Sequence, residues 1–269
     1  MPDFANPDLS AQLQHALEEA GSTPRLLVTS DYDGTLAAIV SDPRAARPHP
    51  EAAQLLGELA ELPETSAALI SGRARADLAE LSGVAQGVHL VGSHGTEFSA
   101  GFAQPLDDDA RTLLAKLQST LDELVSGRTG VGLESKPASI AVHVRNATAE
   151  VGAEVLDEVR QGPARWDGVE VTEGKAVIEL AVIDTDKGSA IEVLREQEDA
   201  TAVVFFGDDV TDEKAFRRLG GADVGVKVGT GESAAAYRVE STEDVVSALR
   251  VLLAHRRRQV AQLGESGRP

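Results

Sequence analysis

The acidic segment Asp31–Leu36 (DYDGTL) directly follows a short apolar run and carries residue types suited to phosphoryl chemistry. Asp31 and Asp33 are two positions apart, so their side chains point to the same side if the chain stays near-extended. Gly34 allows the backbone to turn sharply behind them. Because Asp and Gly are also common in turns, this segment alone leaves a simple surface turn as a serious alternative.

A second acidic segment, Gly207–Glu213 (GDDVTDE), follows another apolar run and adds four carboxylates. Two carboxylates about 4 Å apart repel by roughly 4 kcal/mol at an effective dielectric constant of 20, so a converging group needs a cation. Oxygen ligands in a sequence without cysteine indicate Mg²⁺ rather than zinc. Asp208 is the preferred ligand, and Asp209 and Asp212 are also available. Glu213 is better explained by the positive end of a helix dipole.

Two shorter motifs have the chemistry to bind a phosphate group. Ser71-Gly72-Arg73 ends an apolar run and opens a helical pattern, which puts a hydroxyl and backbone N–H groups where an oxyanion can rest. Lys187 opens a later helix and could hold both a phosphate and a nucleophilic carboxylate. In isolation, a helix cap and an exposed lysine would explain these residues better. Their place beside the two acidic segments favours the phosphate site.

Short apolar runs that alternate with helical patterns must position these residues. The runs read as buried strands are Leu26–Ser30, Ala67–Ile70, Val88–Val91 and Thr201–Phe206, and the helical patterns include His49–Leu62 and Arg73–Leu81. This alternation predicts an α/β fold with a doubly wound, Rossmann-like parallel sheet. Ligands of such sheets bind at the carboxyl ends of the strands, which is where the acidic segments begin.

The middle of the chain follows a different order: helix, strand, strand, helix, strand, strand. The four strands are predicted at Val131–Ser135, Ser139–Arg145, Val169–Thr172 and Ala176–Ala181. We therefore predict a catalytic core of residues 1–105 and 183–269 and an inserted, smaller α+β cap of residues 106–182 over the carboxyl edge of the main sheet. A last helix is predicted at Thr242–Leu253, with the basic residues 255–258 as its solvated end.

The charge of the chain limits its partners. Lys and Arg number 25 against 44 Asp and Glu, a formal net charge of −19. Nucleic acids and anionic lipids need clustered cations, so neither is an expected partner. The sequence also lacks cysteine, a secretory signal and an apolar run of membrane-spanning length. We expect a cytoplasmic monomer that acts on a small molecule.

The four motifs together resemble a known superfamily. DYDGTL, SGR, DKG and GDDVTDE, in this order, are similar to the four signatures of the haloacid dehalogenase-like (HAD) phosphatases. Within that superfamily, Gly92–Glu97 (GSHGTE), Glu134–Arg145 and Gly174–Glu179 (GKAVIE) resemble trehalose-6-phosphate phosphatases. The resemblance extends over about Leu26–Leu253 and implies a HAD core with an inserted cap.

The resemblance also implies roles for individual residues. Asp31 would be the nucleophile and a Mg²⁺ ligand, and Asp33 the general acid and base, with its backbone carbonyl on the metal. Ser71 and Lys187 would bind the phosphate. Metal binding would be completed by Asp208 and Asp209, and substrate binding would involve Arg73, His94, Glu97, Glu134, Lys136 and Glu179.

The function predicted from the sequence is Mg²⁺-dependent hydrolysis of trehalose 6-phosphate through an aspartyl-phosphate intermediate, in trehalose biosynthesis. One alternative is the same chemistry on another sugar phosphate, of the sucrose phosphate or mannosyl phosphate type. A sugar phosphotransferase or mutase would return the phosphate to a sugar instead of to water. A non-enzymatic sugar-phosphate sensor is the third alternative, although binding alone does not need a nucleophile.

Overall fold

The computed structural model describes residues 9–98, 101–102, 106–174 and 176–266, and Lys175 of the GKAVIE motif lies outside them. The chain divides into a larger unit, formed by its first 100 residues and by residues from 186 onward, and a smaller unit of residues 101–185. No helix among the described residues is both long and apolar enough to span a membrane.

The described residues form strands, helices and short 3₁₀ turns. The strands are β1 (Leu26–Ser30), β2 (Thr65–Ile70), β3 (His89–Val91), β4 (Glu97–Phe98), β5 (Gly101–Phe102), β6 (Gly132–Ser135), β7 (Ser139–His143), β8 (Glu170–Gly174), β9 (Val177–Ala181), β10 (Ala202–Gly207), β11 (Val224–Val228) and β12 (Tyr237–Val239). The helices are α1 (Ala11–Gly21), α2 (Pro50–Ala60), α3 (Arg75–Ser82), α4 (Asp108–Val125), α5 (Ala149–Gln161), α6 (Lys187–Gln197), α7 (Glu213–Phe216) and α8 (Thr242–Ser266), with 3₁₀ turns at Pro43–Ala45, Ser93–Gly95, Pro163–Arg165 and Val210–Asp212.

A six-stranded parallel sheet forms the centre of the larger unit, in the order β12-β11-β10-β1-β2-β3. Successive side chains of a strand point to opposite faces, and both faces of this sheet are apolar. Leu26 and Val28 of β1 pack in the core beneath α1, α2, α3 and α8, whereas Leu27 packs in the core beneath α6 and α7. Helices on both faces confirm the predicted doubly wound α/β fold.

The strand order places a topological switch point between β1 and β10. From β1 the chain adds β2 and β3 on one side, and it later adds β10, β11 and β12 on the other side. The connections at β1 and β10 therefore leave the sheet in opposite directions, and sheets of this kind bind ligands at the carboxyl ends of two such strands. The two acidic segments follow these strand ends.

The smaller unit is an α+β module with a four-stranded antiparallel sheet in the order β6-β7-β9-β8. Its apolar core joins α4 and α5 to one face of the sheet, with Ile140 and Val142 of β7 and Ile178 and Leu180 of β9 on the sheet side. The element order is the one predicted from the sequence. The opposite face of the sheet carries the alternate residues of these strands.

The basic residues 255–258 do not end the last helix, contrary to the expectation from the sequence, although Arg257 and Arg258 are exposed to solvent as expected. They lie inside α8, which continues to Ser266, and the Arg256 side chain is buried. Its guanidinium donates hydrogen bonds to Thr65 Oγ1 at 2.8 Å and to the carbonyl oxygens of Gly21 and Pro24 at 3.2 and 3.0 Å. Backbone carbonyls that lack a strand or helix partner thus stabilise a buried cation, which the charge pattern alone did not reveal.

Candidate active site

The central strands bring the two acidic segments together. Ser30 at the end of β1 is in register with Phe206 of β10, so Asp31 and Asp208 leave the sheet side by side. The Asp31 amide donates to the Phe206 carbonyl at 2.8 Å, which continues the ladder by one residue beyond β1. Parallel pairing of the two strands therefore places these carboxylates at one edge.

Three carboxylates form a cluster at this edge. One oxygen each of Asp31, Asp208 and Asp212 lies within 4.8 Å of the others. Gly34 makes this possible because its backbone has φ +84° and a Cβ there would lie 2.0 Å from Asp208 Oδ2. A Cβ at Gly207 would lie 2.5 Å from the Asp212 carboxyl carbon. Both glycines are required because the carboxylates rest directly on their backbone.

Asp212 belongs to this cluster, whereas Asp209 lies outside it among the described residues. The exposed Asp209 side chain caps its own 3₁₀ turn, with Oδ1 accepting from the Val210 amide at 2.7 Å. The buried Asp212 accepts through Oδ2 from the amides of Asp208 and Asp209, both at 2.9 Å. The 3₁₀ turn directs its last residue, Asp212, back toward the end of β10. Asp212 therefore belongs to the cluster, and Asp209 does not.

Lys187 is the first residue of α6, and its ammonium lies between two carboxylates of the cluster. Its ammonium donates to Asp31 Oδ1 at 2.6 Å and to Asp212 Oδ1 at 2.7 Å, and only 3% of its side chain is exposed. Asp186 caps this helix, its carboxylate accepting from the Ser189 amide at 2.8 Å. Capping fixes where α6 begins and therefore where the Lys187 side chain enters the site.

The electrostatics of the cluster favour a further cation. Burial raises the pKa of Asp31 well above its ordinary value against the opposing effect of Lys187, and Asp212 and Asp208 raise it further. Burial and then Asp212 likewise raise the pKa of Asp208. For Lys187, burial opposes the charged form, but the Asp212 and Asp31 carboxylates outweigh it and raise the lysine pKa. Three carboxylates thus share one ammonium.

The donor set fits a small divalent cation. The cluster offers carboxylate oxygens only, which are the ligands that Mg²⁺ prefers, and Mg²⁺ is commonly held by one or two carboxylates together with water and substrate oxygens. Asp212 already accepts three hydrogen bonds, from Lys187 and from two amides. Asp31 and Asp208 are therefore the residues with capacity to ligate a metal directly, and Asp212 holds the lysine and the loop in place.

Lys227 is a buried lysine that the sequence analysis did not assign to the site. It lies on β11 in register with Gly207, and its ammonium donates to the backbone carbonyl of Asp208. A charged residue within the otherwise apolar run VGVKV was the signal that could have identified it. This contact fixes the backbone from which the Asp208 carboxylate projects, as groups outside the metal ligands commonly do.

Replacing Lys227 by Met should weaken magnesium binding by about tenfold, because the backbone of Asp208 loses its donor while the carboxylate remains. The measurement is the rise in melting temperature as Mg²⁺ is titrated into the purified protein, which does not require substrate. Lys214→Met is a matched control, since this lysine is mostly exposed. Equal magnesium titrations for Lys227→Met and the unmodified chain would contradict the role of Lys227.

Asp33 lies beside the cluster but faces Arg73. The Arg73 guanidinium donates from Nε and Nη2 to the two Asp33 carboxylate oxygens, both at 2.6 Å. The same guanidinium lies 5.4 Å from the centre of the Tyr32 ring. A bidentate pair of this kind is strong and directional. In this structure Arg73 therefore holds Asp33.

The loop after β3 is tied to the loop after β2. The Ser93 and His94 amides donate to the carbonyls of Arg73 and Ser71 at 2.8 and 3.0 Å, and Ser71 itself is buried. Ser93 and His94 have φ values of 48° and 54°, which are costly for residues other than glycine. The His94 imidazole rests on Gly72, where a Cβ would lie 2.5 Å from its Cε1 atom. This strained loop therefore sets the position of His94, while the Glu97 carboxylate accepts from Ser93 Oγ.

The three predicted sugar-binding residues of the smaller unit lie on one side of its sheet. Glu134 is opposite Ala141, which is opposite Glu179 on the next strand. Glu179 accepts from Lys136 Nζ at 2.7 Å and from Ser139 Oγ at 2.6 Å. The pairing of the strands thus gathers residues that are 45 positions apart in the sequence into one polar group.

Comparison with known families gives one clear match. The family model described as trehalose-phosphatase matches residues 29–244. A trehalose-phosphate phosphatase of Mycobacterium marinum is 35% identical over 251 residues, covering 86% of this chain and 63% of that protein. The trehalose-phosphate phosphatase of Mycobacterium avium is 39% identical over 229 residues, covering 81% of this chain and 57% of that protein. The chain thus spans about three fifths of the length of these relatives.

Solved structures show the same fold. The C-terminal domain of Candida albicans trehalose-6-phosphate phosphatase superimposes with a TM-score of 0.74 at 24% identity, covering 93% of this chain and 99% of that one. An Aspergillus fumigatus trehalose-6-phosphate phosphatase gives a TM-score of 0.61 at 27% identity, with 93% and 99% covered. A haloacid dehalogenase-like hydrolase from Bacteroides thetaiotaomicron gives 0.59 at 16% identity, covering 84% and 98%. The likeness extends over both units of the chain.

Proposed function

The chain belongs to the trehalose-phosphatase family, and from this premise we propose that it hydrolyses trehalose 6-phosphate to trehalose and phosphate through a phosphorylated Asp31. The observation that carries the proposal is the cluster of Asp31, Asp208 and Asp212 crossed by the ammonium of Lys187. Such a cluster combines a nucleophilic carboxylate with an ammonium group that attracts phosphate. The cytoplasmic location and the monomeric state stay predictions.

In the first step, an Asp31 carboxylate oxygen attacks phosphorus and the bond from phosphorus to the sugar oxygen breaks. Lys187 donates a hydrogen bond to this carboxylate at 2.6 Å and can remain in contact with the transferring phosphoryl group. Ser71 and the amides of its loop would bind phosphate oxygens. Asp33, once protonated, gives its proton to the departing sugar oxygen.

In the second step, water attacks the phosphoryl group on Asp31 and releases inorganic phosphate. Asp33 accepts the proton from this water, so its ionisation state is restored after one cycle. Because both Asp33 oxygens accept from Arg73 in this structure, Asp33 must release one of these hydrogen bonds and take up a proton from solvent before it can act as the acid. Arg73 thus acts on Asp33 in the resting enzyme, and binding of the substrate by Arg73 stays a prediction.

A magnesium ion would be held by the carboxylates of Asp31 and Asp208, with the Asp33 backbone carbonyl as a further proposed ligand. When bound, the ion offsets the negative charge that the phosphoryl group carries during transfer. It also offsets the repulsion between the carboxylates, which adds to the effect of burial in raising the pKa of Asp31 and Asp208.

Candidate sugar-binding residues are proposed within each unit. Glu134, Lys136 and Glu179 of the smaller unit would hydrogen-bond to sugar hydroxyls, as their resemblance to the family implies. His94 and Glu97 are proposed contacts in the larger unit, where the strained loop fixes the imidazole. Carboxylates suit this task because ionised oxygens only accept hydrogen bonds and hydroxyls donate them.

Phosphate release from a panel of sugar phosphates tests the proposal. Trehalose 6-phosphate should be hydrolysed at least about tenfold faster than sucrose 6-phosphate, a mannosyl phosphate or glucose 6-phosphate, because unpaired polar groups in a binding site penalise the wrong sugar. Removal of divalent ions with a chelator should abolish release, and Mg²⁺ should restore it.

The panel also separates the alternatives. Equal rates on every sugar would reject the trehalose assignment while keeping the phosphatase chemistry. Transfer of phosphate to an added sugar, without release to water, would indicate a phosphotransferase or mutase. Binding of trehalose 6-phosphate without turnover in the presence of Mg²⁺ would indicate a sensor.

A further inference from the structure

His143 lies on the polar face of the smaller unit's sheet and has no role in the function proposed above. His143 ends β7 and lies two residues beyond Ala141, so its side chain is on the same face as Ala141 and Glu179. On the neighbouring strand Glu134 is directly opposite Ala141, which makes His143 its diagonal neighbour. Long side chains can meet across such a diagonal, and His143 Nε2 lies 2.9 Å from Glu134 Oε2.

The polar residues of this face differ in their accessibility. Lys136 and Glu179 expose 5% and 11% of their side chains, and Glu179 accepts from both Lys136 and Ser139. Their hydrogen-bonding groups are therefore largely occupied by one another. His143 and Glu134 expose 45% and 40% of their side chains. A ligand can reach this second pair without breaking a buried ion pair.

The hydrogen bond between them fixes what this pair offers to a ligand. An ionised carboxylate can only accept, so Nε2 of His143 must be the donor. The hydrogen bond from His143 lowers the pKa of Glu134, burial opposes the shift, and Lys136 reinforces it, which keeps Glu134 ionised at neutral pH. In a neutral imidazole that carries its proton on Nε2, the Nδ1 atom is an acceptor. In that tautomer the pair presents two kinds of acceptor side by side, Nδ1 and the carboxylate oxygens.

We propose that His143 is a specificity-determining residue that accepts, together with Glu134, hydrogen bonds from adjacent hydroxyl groups of the sugar. The inference rests on the proposed function and deepens it, because it adds a direct sugar contact at a position with no assigned role. Neighbouring hydroxyls of a sugar ring are donors a few ångströms apart, which matches paired acceptors. His143 thus contributes through Nδ1 and not only by orienting Glu134.

Two substitutions separate direct binding from orientation. His143→Gln can place an amide nitrogen near the position of Nε2 and keep the contact with Glu134, but it has no atom in the position of Nδ1. His143→Ala removes both groups. Both variants should raise the KM for trehalose 6-phosphate by about tenfold, the effect of one lost hydrogen bond in a binding site. Their kcat/KM for p-nitrophenyl phosphate, which has no sugar, should stay within about twofold of the unmodified enzyme.

The controls assign each outcome. Glu134→Ala should show the same pattern as His143→Ala. The control is His15→Gln, which replaces a histidine of the larger unit with 71% of its side chain exposed. This variant should keep the activity of the unmodified enzyme on both substrates. A His143→Gln variant with the KM of the unmodified enzyme would overturn the proposal, since orientation of Glu134 would then suffice. An equal loss of activity on both substrates would overturn it too.

If the unmodified enzyme cleaves p-nitrophenyl phosphate but not trehalose 6-phosphate, the proposed function fails together with this inference. If it cleaves both and the variants are unaffected, only the inference fails.

Discussion

The Asp31→Asn variant should lose at least about 10³-fold in kcat while it remains folded. The amide has the shape of the carboxylate but is a far weaker nucleophile, so phosphoryl transfer to residue 31 stops. Asp31 is buried within the cluster of carboxylates, where burial raises its pKa. Removing one negative charge therefore reduces repulsion, which offsets part of the lost contact with Lys187. Steady-state phosphate release from trehalose 6-phosphate and the melting temperature are the two measurements.

A second measurement connects the loss to the covalent intermediate. Acid-quenched enzyme from turnover with ³²P-labelled substrate should carry label in the unmodified chain and none in Asp31→Asn. The matched control is Asp167→Asn, an exposed aspartate of the smaller unit, which should keep full activity. Label retained by the Asp31→Asn protein, or substantial residual turnover, would show that another residue is the nucleophile.

The Lys187→Met variant should lose both activity and stability. Lys187 is buried and bonded to Asp31 and Asp212, so its removal leaves two buried carboxylates without their cation. Removing one partner of a buried ion pair typically costs about 3–5 kcal/mol of the free energy of unfolding. Because the carboxylates raise the pKa of Lys187 above its ordinary value of 10.5, its contribution is fully present below that pH and is lost only in more alkaline solution. Activity should fall by roughly 10²–10³-fold, since a positive group at the transferring phosphoryl is lost.

Denaturant unfolding with and without magnesium separates the two effects. In a chelator, Lys187→Met should have a lower free energy of unfolding than the unmodified chain. Added Mg²⁺ should recover part of this difference because it binds the folded state and offsets the same carboxylates. Activity should not recover, since the ion does not occupy the position of the ammonium. Equal unfolding free energies for the two proteins in a chelator would contradict the central place of Lys187.

The sequence determined where the chemistry lies along the chain. Runs such as Leu26–Ser30 have the apolar composition of fully buried strands, and small or acidic residues begin where they end. Because parallel strands share one carboxyl edge, the segments that begin at Asp31, Ser71 and Asp208 could be assigned to one region before any coordinates were known. These signals are local and depend only on burial and backbone propensity.

The tertiary structure decided which side chains meet. The 3₁₀ turn after β10 places Asp212, and not Asp209, in the carboxylate cluster. The pairing of β10 with β11 brings Lys227 to the backbone of Asp208, and Arg73 forms an ion pair with Asp33. Lys227 and Arg73 come from elements distant in the sequence, Asp212 from the turn directly after β10, and the direction of all three side chains depends on register and turn geometry that composition does not encode. Local pattern thus sets the positions of strands and helices, whereas the contacts of a charged side chain follow from how those elements pack, because only packing determines which opposite charge is buried beside it.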